Sequence, residues 1–294
     1  MPQLPITWVE VFAEGPLEGN LLPVIHDADG VDDAVLARVA RRFLQPETSF
    51  LQRPTDPAAT YRHRIYAVAG ELPFAGHPSL GAAAAHAHRL GTAQASFIQQ
   101  TPSGNQRLEV ELDGVVGRAA IEQNPAELGA PIDSGAILAA LGLQPGDAHP
   151  ELPAQIGSTG LPALILPVRS VATVSSARPD HAALRAALGR IADPDSLNNY
   201  LVAEDRPGRW RARSFSLDLT GGEDPATGSA AGPFGAYLKH HRGETTIVID
   251  QGVEMGSPSR LYVDTTEGIR VSGQVRITGT GVHDIPAAIA GPAV

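Results

Sequence analysis

The sequence predicts an α+β protein of two similar halves, each a curved sheet wrapped round one buried helix. Three observations carry that expectation. ELPFAGHPSLGAAAA at 71–85 and EDPATGSAAGPFGAY at 223–237 align at an offset of 152 (223 minus 71), with Glu71 on Glu223, Pro73 on Pro225, Gly76 on Gly228 and Ala84 on Ala236. Self-similarity at a fixed offset marks a repeated unit. The flanking segments follow in the same order, Leu108 matching Leu261 and Gly114 matching Gly268 to within two residues of that offset. Finally, the segment after each glycine is small and apolar all round, as a helix buried on every side must be.

The elements justify themselves in chain order. Val35, Leu36, Val39, Ala40 and Phe43 share one helical face, with Asp32 or Asp33 placed to cap. After Pro46, the run Glu47-Thr48-Ser49-Phe50-Leu51 reads as a strand whose first residue is a carboxylate. His77 to Leu90 is the first buried helix, with Gly91 able to take the left-handed position beyond its end. The run Ser96–Thr101, the alternation Leu108, Val110, Leu112, and an Asp113-Gly114 turn into Val115–Gln123 predict strands and a hairpin. The Pro-rich stretch Asn124–Asp133 is the expected join.

In the second half Asp180 caps a helix over His181–Leu188, Gly189 lies just past it, and Ser229–Leu238 is the second buried helix. Strand signals follow at Thr245–Asp250, at Leu261 and Val263, and at Ile269–Val271 after a Glu267-Gly268 turn. The halves are expected at 1–127 and 128–294, with the last strand free to return to the first half and the active cleft where they meet.

Composition narrows the function. The chain of 294 residues carries 22 basic and 32 acidic side chains, a formal charge of −10, and 43% hydrophobic residues. Such an acidic balance argues against a nucleic-acid binder. There is no cysteine, which excludes disulfides, thiolate metal sites and thiol nucleophiles. The start MPQLPITWVEVF has no basic n-region, and the longest apolar runs, such as 161–168, are too short to span a membrane. A cytoplasmic protein, with neither a nucleic-acid nor a membrane partner, is the expectation.

Each buried helix begins with a glycine and a polar residue, Gly76-His77-Pro78 and Gly228-Ser229. Unpaired amides at helix starts favour a small anion such as a carboxylate; equally, Gly76 and Gly228 end strands and Ser229 is a cap. Glu47 is either a solvated loop acid or an acid/base entering an apolar run. Asp224, close to Gly228, is placed to cap, to bind an amine or to relay a proton. His240 and His241 adjoin at a helix end and read as solvated. Among the ten histidines no metal-ligand spacing appears, and nucleotide and GxSxG signatures are absent. Cofactor-free acid/base chemistry on a small carboxylate remains.

FAGHPSLG (74–81) and EDPATGSAAGPFGAYL (223–238) resemble the paired signatures of the PhzF-like proteins of phenazine biosynthesis. ETSFL (47–51) is similar to that family's acid-bearing segment, Phe12 with Gly19-Asn20 to its opening strand and loop, and Gln251-Gly252 with Met255–Ser259 to its late loop. Leu21 and Ser257 depart from the common pattern, which usually has proline and a basic residue there.

The resemblance implies the diaminopimelate-epimerase-like fold, a homodimer, and isomerisation of a trans-2,3-dihydro-3-hydroxyanthranilate-like acid without a cofactor. It implies that Glu47 moves a ring proton, that His77, Asp224 and Ser229 position substrate and assist, and that Gly76 and Gly228 supply anion-binding turns. A carboxylate that both accepts and donates near neutrality needs a raised pKa, which burial beside Phe50 and Leu51 can supply. Epimerase relatives of this architecture use two thiols, which this cysteine-free chain cannot. Two alternatives stay open: an epimerase or racemase of another small acid, and a non-catalytic protein that binds a small aromatic acid.

Overall fold

Alternating burial along the strands and all-round burial of two helices organise the chain. The computed structural model describes residues 3–217, 222–286 and 288. The chain divides into two units: one runs to Glu122 and resumes at Ser272, and the other covers Gln123–Val271.

The first unit opens with β1 (Gln3–Val11), β2 (Asn20–Ile25), α1 (Asp33–Phe43), β3 (Glu47–Gln52), β4 (Tyr61–Ala67) and the short β5 (Glu71–Leu72). It continues through α2 (Gly76–Leu90), β6 (Gln94–Thr101), β7 (Gly104–Asp113) and β8 (Val116–Gln123), whose last residue already belongs to the second unit. β1 pairs antiparallel with β2, β2 parallel with β3, β3 antiparallel with β4, β4 parallel with β6, and β6–β7–β8 form a meander.

The resulting sheet bends round α2, which packs against β1, β2, β3, β4, β6 and β7. That explains the helix's composition. Every residue from Gly76 to Ala85 is buried, and a Cβ on Gly81 would lie 2.6 Å from a Leu22 methyl and 2.9 Å from one of Val11. On the sheet's other face α1 sets Val35, Leu36 and Val39 against Ile25, Phe50 and Tyr66.

The second unit repeats the plan with β9 (Glu127–Ile132), α3 (Gly135–Ala140), β10 (Ala154–Ser158), β11 (Pro162–Pro167), α4 (Val171–Ser176) and α5 (His181–Leu188). There follow β12 (Asn198–Arg206), β13 (Arg209–Phe215), β14 (Glu223–Asp224), α6 (Gly228–Arg242), β15 (Thr246–Gln251) and β16 (Ser259–Asp264). The pairings mirror the first unit: β11 parallel with β12, β12 antiparallel with β13, β13 parallel with β15 and β15 antiparallel with β16. α6 packs on β9, β10, β11, β15 and β16. The last strand, β17 (Ile269–Asp284), begins in the second unit and ends in the first, where Gln3–Val11 of β1 pairs with it.

The expected helices over 35–43, 77–90 and 181–188 are present, and Asp180 caps the third through its side chain to the amides of Ala182 and Ala183. α6 runs four residues beyond Leu238 before Gly243 takes a left-handed conformation. α3 and α4 were not expected. Each is six residues long, under two turns, too short for a period of 3.6 to register. His241, expected to be solvated, is half-buried: its Nε2 lies 2.9 Å from Gln155 Oε1 and its ring is 4.3 Å from that of Tyr237.

Candidate active site

In the first unit two chain reversals deliver the site. α1 stops at Phe43, Leu44 adopts a left-handed backbone (φ 55), and Pro46 cannot continue a helix. The chain therefore enters β3 at Glu47, opposite Ala67 of β4. The second reversal joins β5 to α2. Arg64 on β4 clamps Glu71 on β5 with two parallel bonds, Nε to Oε1 at 2.5 Å and Nη2 to Oε2 at 2.6 Å. Such a fork fixes geometry as well as charge. Ala75 is then extended, and helix geometry begins at Gly76.

Glu47 and His77 meet here. Both are buried, and His77 Nε2 lies 3.4 Å from Glu47 Oε2. The other ring nitrogen, Nδ1, is 3.1 Å from the side-chain amide nitrogen of Asn20. Burial pushes the His77 imidazole down to about 3, so the ring is neutral at physiological pH. Pro78 occupies the first helical turn without a missing bond, since amides there have no intrahelical acceptor. The amides of Gly76 and His77 sit at the positive end of α2.

A wholly buried polar chain braces this corner. Ser49, two residues along β3 from Glu47, reaches His63 Nε2 at 2.8 Å, and His63 Nδ1 reaches Gln99 Oε1 at 2.9 Å. Gln99 Nε2 donates to Ser79 Oγ at 2.9 Å, and Ser79 donates to the carbonyl of Ala75 at 2.7 Å. The residue before Gly76 is thus tied back to the strand that carries Glu47.

The second unit builds a corresponding corner. Arg213 on β13 clamps Glu223 at 2.7 and 2.8 Å, which places the next residue, Asp224, opposite Ser214. Thr227 donates its hydroxyl to Asp224 Oδ2 at 2.6 Å. Gln251, fully buried, donates to the Asp224 carbonyl at 2.8 Å and to Thr227 Oγ1 at 2.9 Å; its own oxygen accepts from Thr227 N and Tyr200 Oη. Helix geometry begins at Gly228, whose carbonyl accepts from Gln123, and Ser229 is buried in the first turn. Gly252, next to Gln251, has φ +73, and a Cβ there would lie 2.3 Å from the carbonyl oxygen of Ser257. Only glycine fits that bend.

Glu47, Gly76 and His77 are therefore gathered in the first unit, and Asp224, Gly228 and Ser229 in the second. Asn20 and Gln251 entered the sequence reading only as parts of family-like segments, and His63, Gln99 and Thr227 not as functional residues. One signal was available: Gln99 and Gln251 stand 152 residues apart, the offset of the two glycines.

Comparison with known proteins finds relatives over nearly the whole chain. The family model of phenazine biosynthesis-like proteins (PhzC-PhzF) matches residues 9–286. The trans-2,3-dihydro-3-hydroxyanthranilate isomerase of Pseudomonas aeruginosa is 36% identical over 290 residues, covering 93% of this chain and 94% of the relative. The solved structure of a predicted epimerase from Pseudomonas aeruginosa superposes with a TM-score of 0.80 at 37% identity, covering 95% of this chain and 98% of that one. A PhzF-family phenazine biosynthesis protein from Bacillus anthracis, 23% identical, shares the fold with a TM-score of 0.82 over 97% of this chain and 100% of its own.

Fold and relatives together define an isomerase with the diaminopimelate-epimerase-like architecture. The chain belongs to the phenazine biosynthesis-like, or PhzC-PhzF, family.

Proposed function

We propose that the protein is a cofactor-independent isomerase that shifts a proton on a small cyclic carboxylic acid of the trans-2,3-dihydro-3-hydroxyanthranilate type. The observation that carries the reading is the buried Glu47 carboxyl set 3.4 Å from a neutral His77 at the start of α2. As base, Glu47 takes a proton from a ring carbon; the C–H electrons move into the diene, and the same carboxyl returns the proton to another ring carbon. The enol so formed tautomerises to the ketone. Proton transfer by a positioned side chain contributes about 10²–10⁴-fold.

His77 assists the carboxyl, and Gly76 offers its amide to the substrate carboxylate. The family resemblance assigns Asp224, Gly228 and Ser229 to holding substrate and assisting proton movement. A homodimer and a cytoplasmic location belong to the same reading. No helix of the described residues is long and apolar enough to cross a membrane.

The test is incubation with dihydro-hydroxyanthranilate in deuterium oxide, followed by NMR. Loss of the diene is expected, with the proton shifted from one ring carbon to another and solvent deuterium entering as the enol tautomerises. Glu47→Gln should lower turnover by at least about 10³-fold while ligand affinity changes little. Equal turnover by that variant would sink the mechanism. The match to a predicted epimerase favours a second reading, inversion of a centre next to a carboxylate. Exchange confined to one carbon, without loss of the diene, would identify it.

A further inference from the structure

Asn20 is the first residue of β2, held opposite Val11 in the β1–β2 ladder and only 1% exposed. Its side-chain nitrogen stands 3.1 Å from His77 Nδ1, while His77 Nε2 faces Glu47 Oε2 at 3.4 Å. A neutral imidazole carries one N–H, so one nitrogen donates and the other accepts. An ionised carboxylate can only accept. With the proton on Nδ1, the Nε2 lone pair would point at a carboxylate oxygen in a buried place. With it on Nε2, the N–H lies on the Glu47 side, 3.4 Å from Oε2 and not yet in hydrogen-bond geometry with it, and Nδ1 is left to accept from the Asn20 amide. With Glu47 ionised, only the second arrangement suits both neighbours.

We propose that Asn20 is a positioning residue that locks His77 in the Nε2–H tautomer, making the imidazole a hydrogen-bond donor to the Glu47 carboxylate. The inference rests on the acid/base role of Glu47 given above. His77 then has a defined task. It is a neutral donor that steadies the carboxylate each time Glu47 releases its proton, and it yields no proton of its own. A separation of 3.4 Å is long for a hydrogen bond, but contacts of this kind tighten as the reacting complex forms. Asparagine suits the post because it can donate without bringing a charge. Aspartate in the same place could only accept, and would draw the ring proton to Nδ1.

The test is ¹⁵N NMR of the full-length, histidine-labelled protein at neutral pH, with the His77 ring assigned by its loss in His77→Gln. His77 is expected to show Nε2 as the protonated nitrogen and Nδ1 as the unprotonated one. In Asn20→Asp the two should exchange places, and kcat should fall on the order of 10²-fold with little change in KM. A wild-type ring protonated on Nδ1, or an unchanged tautomer in folded Asn20→Asp, would overturn the proposal. If Asn20→Asp does not fold, the wild-type spectrum alone still decides. Since the spectrum needs no substrate, an inert enzyme with the expected tautomer would count against the proposed reaction and not against the lock.

Discussion

Among the described residues three histidines are buried, His26, His63 and His77, and burial is the leading cause that pushes them down to about 4, 4 and 3. Arg89 adds to the effect at His26. In the unfolded chain each titrates near its ordinary 6.5. Between that value and the folded one, the unfolded state binds more protons, so stability is full above about pH 6.5 and falls as the pH drops toward 4. Each ring contributes up to about 1.4 kcal/mol per pH unit. Urea unfolding at pH 7, 6 and 5 should therefore show a steady loss of stability, and a flat profile would contradict neutral burial. At this scale the residues alone showed types, and the tasks came from the family resemblance. Glu47 and His77 stood out, one by entering an apolar run and the other by standing between Gly76 and Pro78. Asn20 could not be given its task, because its partner lies 57 positions away and nothing local links them.

At the scale of elements, the recurring Glu71 and Glu223 have a common explanation in the two arginine forks. Both forks hold the strand just before a helix start, and neither arginine lies inside the repeated motif. The Arg213–Glu223 pair is the more enclosed, with side chains 7% and 15% exposed. Removing one partner of a buried pair leaves the other uncompensated, at a cost of about 3–5 kcal/mol. Arg213→Met should cost roughly 3 kcal/mol, and adding Glu223→Leu should restore part of it. Denaturation of both singles and the double would measure the coupling, and simple additivity would mean that the fork is not holding the loop. Helix legibility followed length. α1 and α5 are long enough to show an apolar face, although the expected aspartate cap of α1 does not form, Asp32 making no side-chain cap bond and Asp33 accepting from Arg64. Six-residue α3 and α4 are too short to show one and share a core with Leu166, Leu184 and Leu201, α4 being capped by Ser170.

Over the whole molecule the duplication was legible because small residues at both helix starts and within both helices are hard to replace inside a wrapped sheet. The copies nevertheless differ in chemistry. All three buried histidines belong to the first unit, whereas His149, His181, His240 and His241 of the second are half-buried or exposed. Acid should therefore loosen the first unit before the second. Hydrogen exchange near pH 5, corrected for intrinsic rates, should show β3, β4 and α2 losing protection ahead of β12, β13 and α6. The reverse order would show that other groups govern acid sensitivity.

The path of β17 bears on how the molecule is made. While the chain emerges from a ribosome, Gln123–Val271 forms a continuous stretch that can close on itself as soon as it is out. The first unit, although synthesised earlier, has only β2 as a ladder partner for β1 until Val275–Asp284 arrives. The β1 groups that pair with β17 wait until the intervening second unit has been made. The half that carries Glu47 and His77 is thus closed only after Gln123–Val271 has been synthesised, because the strand that completes its β1 ladder follows that stretch.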